Sequence, residues 1–275
     1  MPRTCPVRGC IEVQGHIPSP HKDASGRTWD DWRPTIGKAE LHWLYNCQLD
    51  CSSCNRASFL RKPHTRAMTL EDQREFFRQC DELNWKPYCT IVGGEPTLHP
   101  QYEQLLDELI DWAGTSRIQL WSNAYGEKSQ RLVQLTRDKR VSVCQETQKP
   151  DGAIREKPAG EYWVSDIYVA PADFGFTRPP CFQHQAGLCG LGVDAEGYFP
   201  CAMGGTLAAV LGIPCRTRRL ADLFDEQLVA KMTEAMCSTS CGHQWMMHRV
   251  DVDALPRKFD TPMSPRWHAA FGDRK

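Results

Sequence analysis

From residue 38 onward, short apolar runs alternate with segments of helical periodicity, and this alternation constrains the fold more than any other feature of the chain. Ala39 to Tyr45 reads as a strand. Thr69 is a natural N-cap with Asp72 three residues on, opening a helix to about Leu83 that buries Leu70, Phe76, Phe77, Cys80 and Leu83. Tyr88 to Val92 reads as a second, continuously apolar strand of the kind buried in parallel sheets, broken by Gly93 and Gly94. Pro100 opens a second helix through Leu105, Leu106, Leu109, Ile110 and Trp112, and Gly114 ends it. Arg117 to Trp121 is a third strand, Glu127 to Thr136 a third helix, Val141 to Cys144 a fourth strand and Asp166 to Ala170 a fifth. The pattern predicts right-handed βαβ units and a parallel sheet. Four or five units are too few to close an eight-stranded barrel, so the expected class is α/β, as a partial (β/α) barrel or an open sheet.

The flanks differ in kind. Residues 1–37 are rich in Pro, Gly, His and Trp without a period, and read as an irregular arm; a metal site at Cys5, Cys10 and His16 is the less favoured reading. Residues 38–175 hold the repeating units, and residues 176–275 form a small irregular part with Cys181, Cys189, Cys201, Cys215, Cys237 and Cys241. Within it Leu191 to Pro200 reads as a hairpin and Leu220 to Met236 as a helix, whereas the last thirty or so residues carry few signals beyond proline breaks. A net charge of −1 argues against nucleic acid or an anionic membrane as an obligatory partner, although Arg216, Arg218 and Arg219 make a local basic cluster. No apolar run reaches the roughly 18 residues of a membrane span and no apolar leader opens the chain, so a cytoplasmic location is expected. In that setting, 14 cysteines point to metal or redox chemistry more than to disulfides.

Directly after the first strand, Cys47, Cys51 and Cys54 place three thiols within eight residues. Thiolates are soft ligands that suit iron–sulfur clusters and zinc. A four-iron cluster held by three cysteines keeps one iron open, as catalytic metal sites do. A zinc knuckle completed by Cys89 or a histidine is the plainer alternative. The loop's position at the C-terminal end of a parallel strand is where α/β proteins build active sites. Gly93-Gly94-Glu95 after the second strand reads as a glycine turn that lets backbone approach a ligand, followed by a carboxylate. Ser122-Asn123 ends the third strand and Gln145-Glu146-Thr147 the fourth, both segments polar at the same end of the sheet.

The Cys-x3-Cys-x2-Cys spacing after a first strand resembles the signature of the radical S-adenosylmethionine superfamily, and Gly93-Gly94-Glu95 resembles that family's second motif. The likeness covers roughly residues 38–170. It implies a partial barrel of that type, a [4Fe-4S] cluster on Cys47, Cys51 and Cys54, and S-adenosyl-L-methionine chelated at the open iron. Gly93, Gly94 and Glu95 would then contact the cofactor's amino group, and Ser122 and Asn123 its carboxylate or ribose. Ser53 departs from the aromatic residue that the family often carries before the third cysteine. Cys189 with Gly197 to Cys201 resembles the start of the SPASM or twitch extension, which implies an auxiliary [4Fe-4S] cluster on Cys189, Cys201, Cys237 and Cys241, with Cys181 as a possible substitute.

By this resemblance the reaction is reductive cleavage of S-adenosylmethionine to a 5′-deoxyadenosyl radical. That radical removes a hydrogen atom from a peptide or small-molecule substrate, leading to oxidation, cross-linking or epimerisation. It also implies an electron donor such as flavodoxin or ferredoxin. Cys89, Cys144 and Cys215 are candidates to return a hydrogen atom, although Cys80 and Cys89 are more simply buried apolar residues. A non-catalytic zinc-binding interaction protein and a two-cluster electron carrier are the competing readings.

Overall fold

The computed structural model describes residues 10–11, 37–49, 54, 56, 58, 66–145, 161–165, 190–241, 247–251 and 265–271. Strand β1 is Cys10–Ile11 and β2 is Lys38–Leu44. Helix α1 (Leu70–Glu82), β3 (Tyr88–Gly93), α2 (Tyr102–Ala113), β4 (Ile118–Ser122), α3 (Glu127–Asp138) and β5 (Ser142–Gln145) follow in alternation. After β6 (Glu161–Ser165) come β7 (Leu191–Asp194), β8 (Gly197–Phe199), α4 (Gly204–Leu211), α5 (Glu226–Thr233), β9 (Met247–Asp251) and α6 (Pro265–Phe271). The main sheet has the order β5-β4-β3-β2-β7-β8, and a second one has β1-β9-β6. In the main sheet all pairs are parallel except the β7–β8 hairpin. This is an α/β fold with a mixed sheet. The strand expected at Asp166 to Ala170 lies outside the described residues, as do residues 1–9 and 12–36 of the N-terminal arm.

Register explains how the sheet is used. Val193, Leu41, Ile91, Leu120 and Val143 pair across five neighbouring strands, and Leu191, Ala39, Cys89 and Ile118 form a parallel row. These rows face the helices: on the same side of β2, the Trp43 indole donates to Gln73 of α1 at 3.1 Å and meets Tyr102 of α2 edge to face at 5.5 Å. The alternate row is Gly192, Glu40, Thr90, Gln119 and Ser142. Side chains alternate along a strand, so this row occupies the opposite face. The second strand, expected to be apolar throughout, therefore divides: Cys89 and Ile91 enter the core while Thr90 joins a polar face. Thr90 Oγ1 is buried there without a hydrogen-bond partner among the described residues.

The hairpin expected over Leu191 to Pro200 belongs to this same sheet, at the edge of β2, and Leu191, Val193, Tyr198, Leu207, Leu220 and Val229 belong to the same core as the βαβ units. The helix expected over Leu220 to Met236 is three pieces: a 3-10 turn at Leu220–Phe224, then α5, then a π turn at Glu234–Ser238. Asp225 makes the break by accepting the Leu228 N–H as the N-cap of α5. Two helices were not expected from the sequence. The first, α4, begins on two glycines, which disfavour helix; the second, α6, is anchored by the fully buried Trp267, whose indole donates to Ser240 O at 2.9 Å. No helix among the described residues is long and apolar enough to cross a membrane.

At the start of α1 the expected cap is present as a reciprocal box: Asp72 N–H donates to Thr69 Oγ1 at 3.2 Å and Thr69 N–H to Asp72 Oδ2 at 2.8 Å. Arg66 adds a two-pronged ion pair, Nη2 to Oδ1 at 2.7 Å. Burial pushes the Asp72 carboxyl up, but Arg66 and Thr69 outweigh it and hold the group at about 2. A lowered pKa contributes stability above the unfolded value, which is lost as the pH falls through the folded one. Asp72→Asn is expected to lower stability by about 1 kcal/mol at neutral pH. In urea unfolding across a pH series, the gap to the parent should close as the pH falls from roughly 4 to 2.

Candidate functional site

The C-terminal ends of β2, β3 and β4 meet at one end of the sheet. Gly94 N–H donates to Leu44 O and Glu95 N–H to Asn46 O, each at 2.8 Å, so the β2–β3 ladder runs on past both strands. Cys47 is the next residue. An ideal Cβ on Gly93 would lie 2.0 Å from Leu44 O, and one on Gly94 would lie 2.2 Å from Asn46 O. The sequence reading had these glycines admitting a ligand; the close approach they permit is that of the chain's own backbone to the root of the cysteine loop.

Glu95 is 1% exposed and its carboxylate accepts from four donors. Oε1 takes Thr97 N–H at 3.1 Å, Thr97 O–H at 2.6 Å and Ser122 O–H at 2.8 Å; Oε2 takes Asn123 N–H at 2.8 Å. Burial pushes the carboxyl above its usual range, and the four donors pull it back only in part. Thr97 gives its proton to Glu95, so the contact of 2.7 Å with Ser129 at the start of α3 must be a donation by Ser129. Ser122 likewise donates to Glu95 and accepts Ala124 N–H at 2.9 Å.

Asn123 carries this network to the cysteine loop. Its Nδ2 donates to Cys47 Sγ at 3.7 Å, and Leu49 N–H donates to the same sulfur at 3.4 Å. Its Oδ1 accepts Gln48 Nε2 at 3.1 Å and Tyr125 N–H at 2.8 Å. Gln48 Nε2 also reaches Tyr125 O at 2.9 Å. Of the predicted residues, then, Cys47, Gly93, Gly94, Glu95, Ser122 and Asn123 are brought to one end of the sheet. Cys54 is half-buried with its sulfur 3.9 Å from Ser58 Oγ, while Cys51 lies outside the described residues.

Arg56, two residues after Cys54, bridges onto the polar face. Its Nη2 pairs with Glu40 Oε2 at 2.5 Å, its Nη1 meets Met203 Sδ at 3.6 Å, and its carbonyl accepts Thr206 O–H at 2.7 Å. The sequence reading missed this pair. The available signal was the placing of Glu40 and His42 within an otherwise apolar strand, two residues apart and so on one face.

Cys201 and Cys241 are buried and Cys237 is half-buried, in the π turn; Cys181 and Cys189 lie outside the described residues. Among the described residues no three His, Cys, Asp or Glu side chains gather into a metal-holding group, and so Cys201, Cys237 and Cys241 are not brought together as one. Among the hydrogen-return candidates, Cys89 is on the helix-facing side and Cys215 is 0% exposed with its sulfur 3.4 Å from Gly204 O. Burial pushes both thiols up to about 12. Cys144, half-buried and paired with Trp121, is on the polar face. The basic cluster is also resolved: Arg216 pairs with Glu196 and lies over the Phe199 ring at 5.2 Å, and Arg219 is 3.8 Å from Asp222.

The described donors fit an iron–sulfur cluster in their chemistry. Cys47 and Cys54 are soft sulfur ligands, and two N–H groups aimed at the Cys47 sulfur stabilise charge on it, as hydrogen bonds around such clusters do.

No family model matches the chain, and no curated protein does. Among solved structures, BtrN in an open conformation aligns over 76% of this chain and 87% of its own, at 11% identity and a TM-score of 0.47. BtrN in complex with AdoMet and 2-DOIA aligns over 74% and 87%, at 14% identity and 0.48. SuiB of Streptococcus suis bound to precursor peptide SuiA aligns over 35% of this chain and 21% of its own, at 19% identity and 0.29. Likenesses of this degree carry no functional weight.

Glu95→Gln keeps the volume but turns an amide NH2 toward at least one of the four donors. It is expected to cost about 1–3 kcal/mol in urea unfolding. Gly94→Ala places a methyl against backbone that no rotamer change relieves; a loss of about 3 kcal/mol or more is expected, read as a lowered urea midpoint at unchanged slope.

Proposed function

We propose that the chain is a radical S-adenosylmethionine enzyme whose [4Fe-4S] cluster is held by Cys47, Cys51 and Cys54. The observation that carries this reading is the hydrogen-bonded joining of the three strand ends: the Cys47 sulfur, Asn123, Ser122 and Glu95 form one network at the C-terminal end of the sheet. Three motifs spaced over 77 residues of sequence thus converge where a parallel sheet builds its site. When bound, the cluster and S-adenosylmethionine supply a 5′-deoxyadenosyl radical for hydrogen abstraction from a peptide or small molecule.

The chain's own part is to hold and to orient. Asn123 and Leu49 donate to the Cys47 sulfur and fix its direction. Glu95 holds Asn123 and Ser122 through its buried carboxylate, and Ser122 and Asn123 face the same end as the cysteine loop. Arg56 draws the far end of that loop over Glu40. Cys189, Cys201, Cys237 and Cys241 are the proposed ligands of a second cluster, whose binding would have to draw together Cys201, Cys237 and Cys241, which do not form a metal-holding group among the described residues; an electron donor such as flavodoxin or ferredoxin is the proposed partner, with no nucleic acid or membrane.

The test is anaerobic reconstitution followed by iron and sulfide analysis, then S-adenosylmethionine with a strong reductant. About four irons per chain with 5′-deoxyadenosine formed supports the first cluster alone; about eight adds the second. Replacing Cys47, Cys51 and Cys54 by Ala should abolish 5′-deoxyadenosine. Zinc in place of iron, with no cleavage, would instead favour the zinc-binding interaction protein.

A further inference from the structure

Three described residues other than glycine take a positive φ: Asn84 at 49°, Ala124 at 51° and Arg140 at 62°. Asn84 and Arg140 each follow a helix C-cap, Leu83 of α1 and Lys139 of α3, where a left-handed residue commonly closes a helix. Ala124 closes no helix. It stands in the turn after β4, and alanine has neither glycine's freedom nor asparagine's side chain to offset that backbone.

The turn is held from three sides. Ser122 Oγ accepts Ala124 N–H at 2.9 Å, Asn123 Oδ1 accepts Tyr125 N–H at 2.8 Å, and Gln48 Nε2 donates to Tyr125 O at 2.9 Å. What this strained and pinned turn presents is the Tyr125 side chain, 43% exposed. Among the described residues only one other large hydrophobic side chain, Leu83 at the C-cap of α1, is comparably exposed, at 37%. Most aromatic rings of the helix layer are instead packed on one another, as Phe77 is on Trp112 at 4.4 Å. Backbone strain that the surroundings hold in place is characteristic of ligand sites. An aromatic ring left in solvent on a rigid turn offers a flat face with little ordering cost.

Building on the reading of the chain as a radical S-adenosylmethionine enzyme, we propose that the Tyr125 ring is the surface on which the purine of the S-adenosyl ligand stacks. The cysteine loop from Cys47 to Cys54 carries no aromatic residue of its own, and Tyr125 is the aromatic side chain that the neighbouring turn sets beside its root. The Tyr125 backbone is bonded to Gln48, the residue after Cys47, and to Asn123, whose Nδ2 donates to the Cys47 sulfur. A neutral phenol ring suits a neutral purine, and base–aromatic stacking makes few demands on the base's edge.

Equilibrium dialysis of the reconstituted, oxidised protein separates this from a structural role. The probes are S-adenosylmethionine and, lacking the purine, methionine. Tyr125→Ala is expected to weaken S-adenosylmethionine binding by roughly 10-fold or more while leaving methionine binding unchanged. Tyr125→Phe and Tyr125→Trp are expected to retain it. Equal S-adenosylmethionine affinity in Tyr125→Ala and the parent overturns the proposal and leaves the cofactor reading intact. An equal loss for both probes also overturns it, assigning Tyr125 to the shape of the turn. A parent protein that binds neither probe overturns the cofactor reading and this proposal with it.

Discussion

One buried carboxylate organises the end of the sheet. Glu95 takes four donors from its own turn and from the end of β4, while its backbone N–H closes the ladder to Asn46. An ionised group buried to this degree is tolerated only where its acceptor capacity is met, and here donors arrive at both oxygens. Through Thr97 and Ser129 the same network reaches α3, and through Asn123 it reaches the Cys47 sulfur. The cysteine loop is therefore rooted in hydrogen bonds that exist without any metal. Preorganisation of this kind removes from ligand binding the cost of ordering its root.

The sheet divides its labour between its faces. Parallel sheets are usually apolar on both sides because helices cover both. Here the rows through Leu41 and Ala39 hold α1 and α2, and the alternate row carries Glu40, Thr90, Gln119 and Ser142. Arg56 neutralises Glu40 at a point where either charge alone would be costly to bury. The apolar packing lies on one face, which leaves the other able to carry polar groups, among them a Thr90 hydroxyl with no partner among the described residues.

Much of this was legible from residues alone. Strand and helix alternation located β2 to β5 and α1 to α3 within a few residues, since each has a period and a cap or breaker: Thr69 with Asp72, Gly114, Gly93. Polar residues at successive strand ends marked the end of the sheet at which Cys47, Glu95, Ser122 and Asn123 are joined by hydrogen bonds. Register was not legible. Tyr88 to Val92 looks uniformly apolar until pairing with Ala39 to His42 sorts its side chains by face. The meaning of Gly93 and Gly94 was half visible: close approach was foreseen, but the neighbour that demands it, Leu44 and Asn46, is 49 and 48 residues away in sequence. Tyr125 gave no signal, because its role depends on the backbone of Ala124 and on Gln48.

The pairing of β7 with β2 sets an order on the life of the chain. The first strand of the sheet is an interior one, and its second neighbour is made about 150 residues later; Tyr45 and Asp194, which are 149 apart, share a buried hydrogen bond. During synthesis the βαβ units emerge with one side of β2 unpaired, an open edge of the sort that invites association with other chains. The loop bearing Cys47 grows from that same strand. The nascent protein thus passes through a stage in which the cysteine loop has been made but the sheet beneath it is unfinished, so that completion of the fold competes in time with any reaction of the exposed thiols.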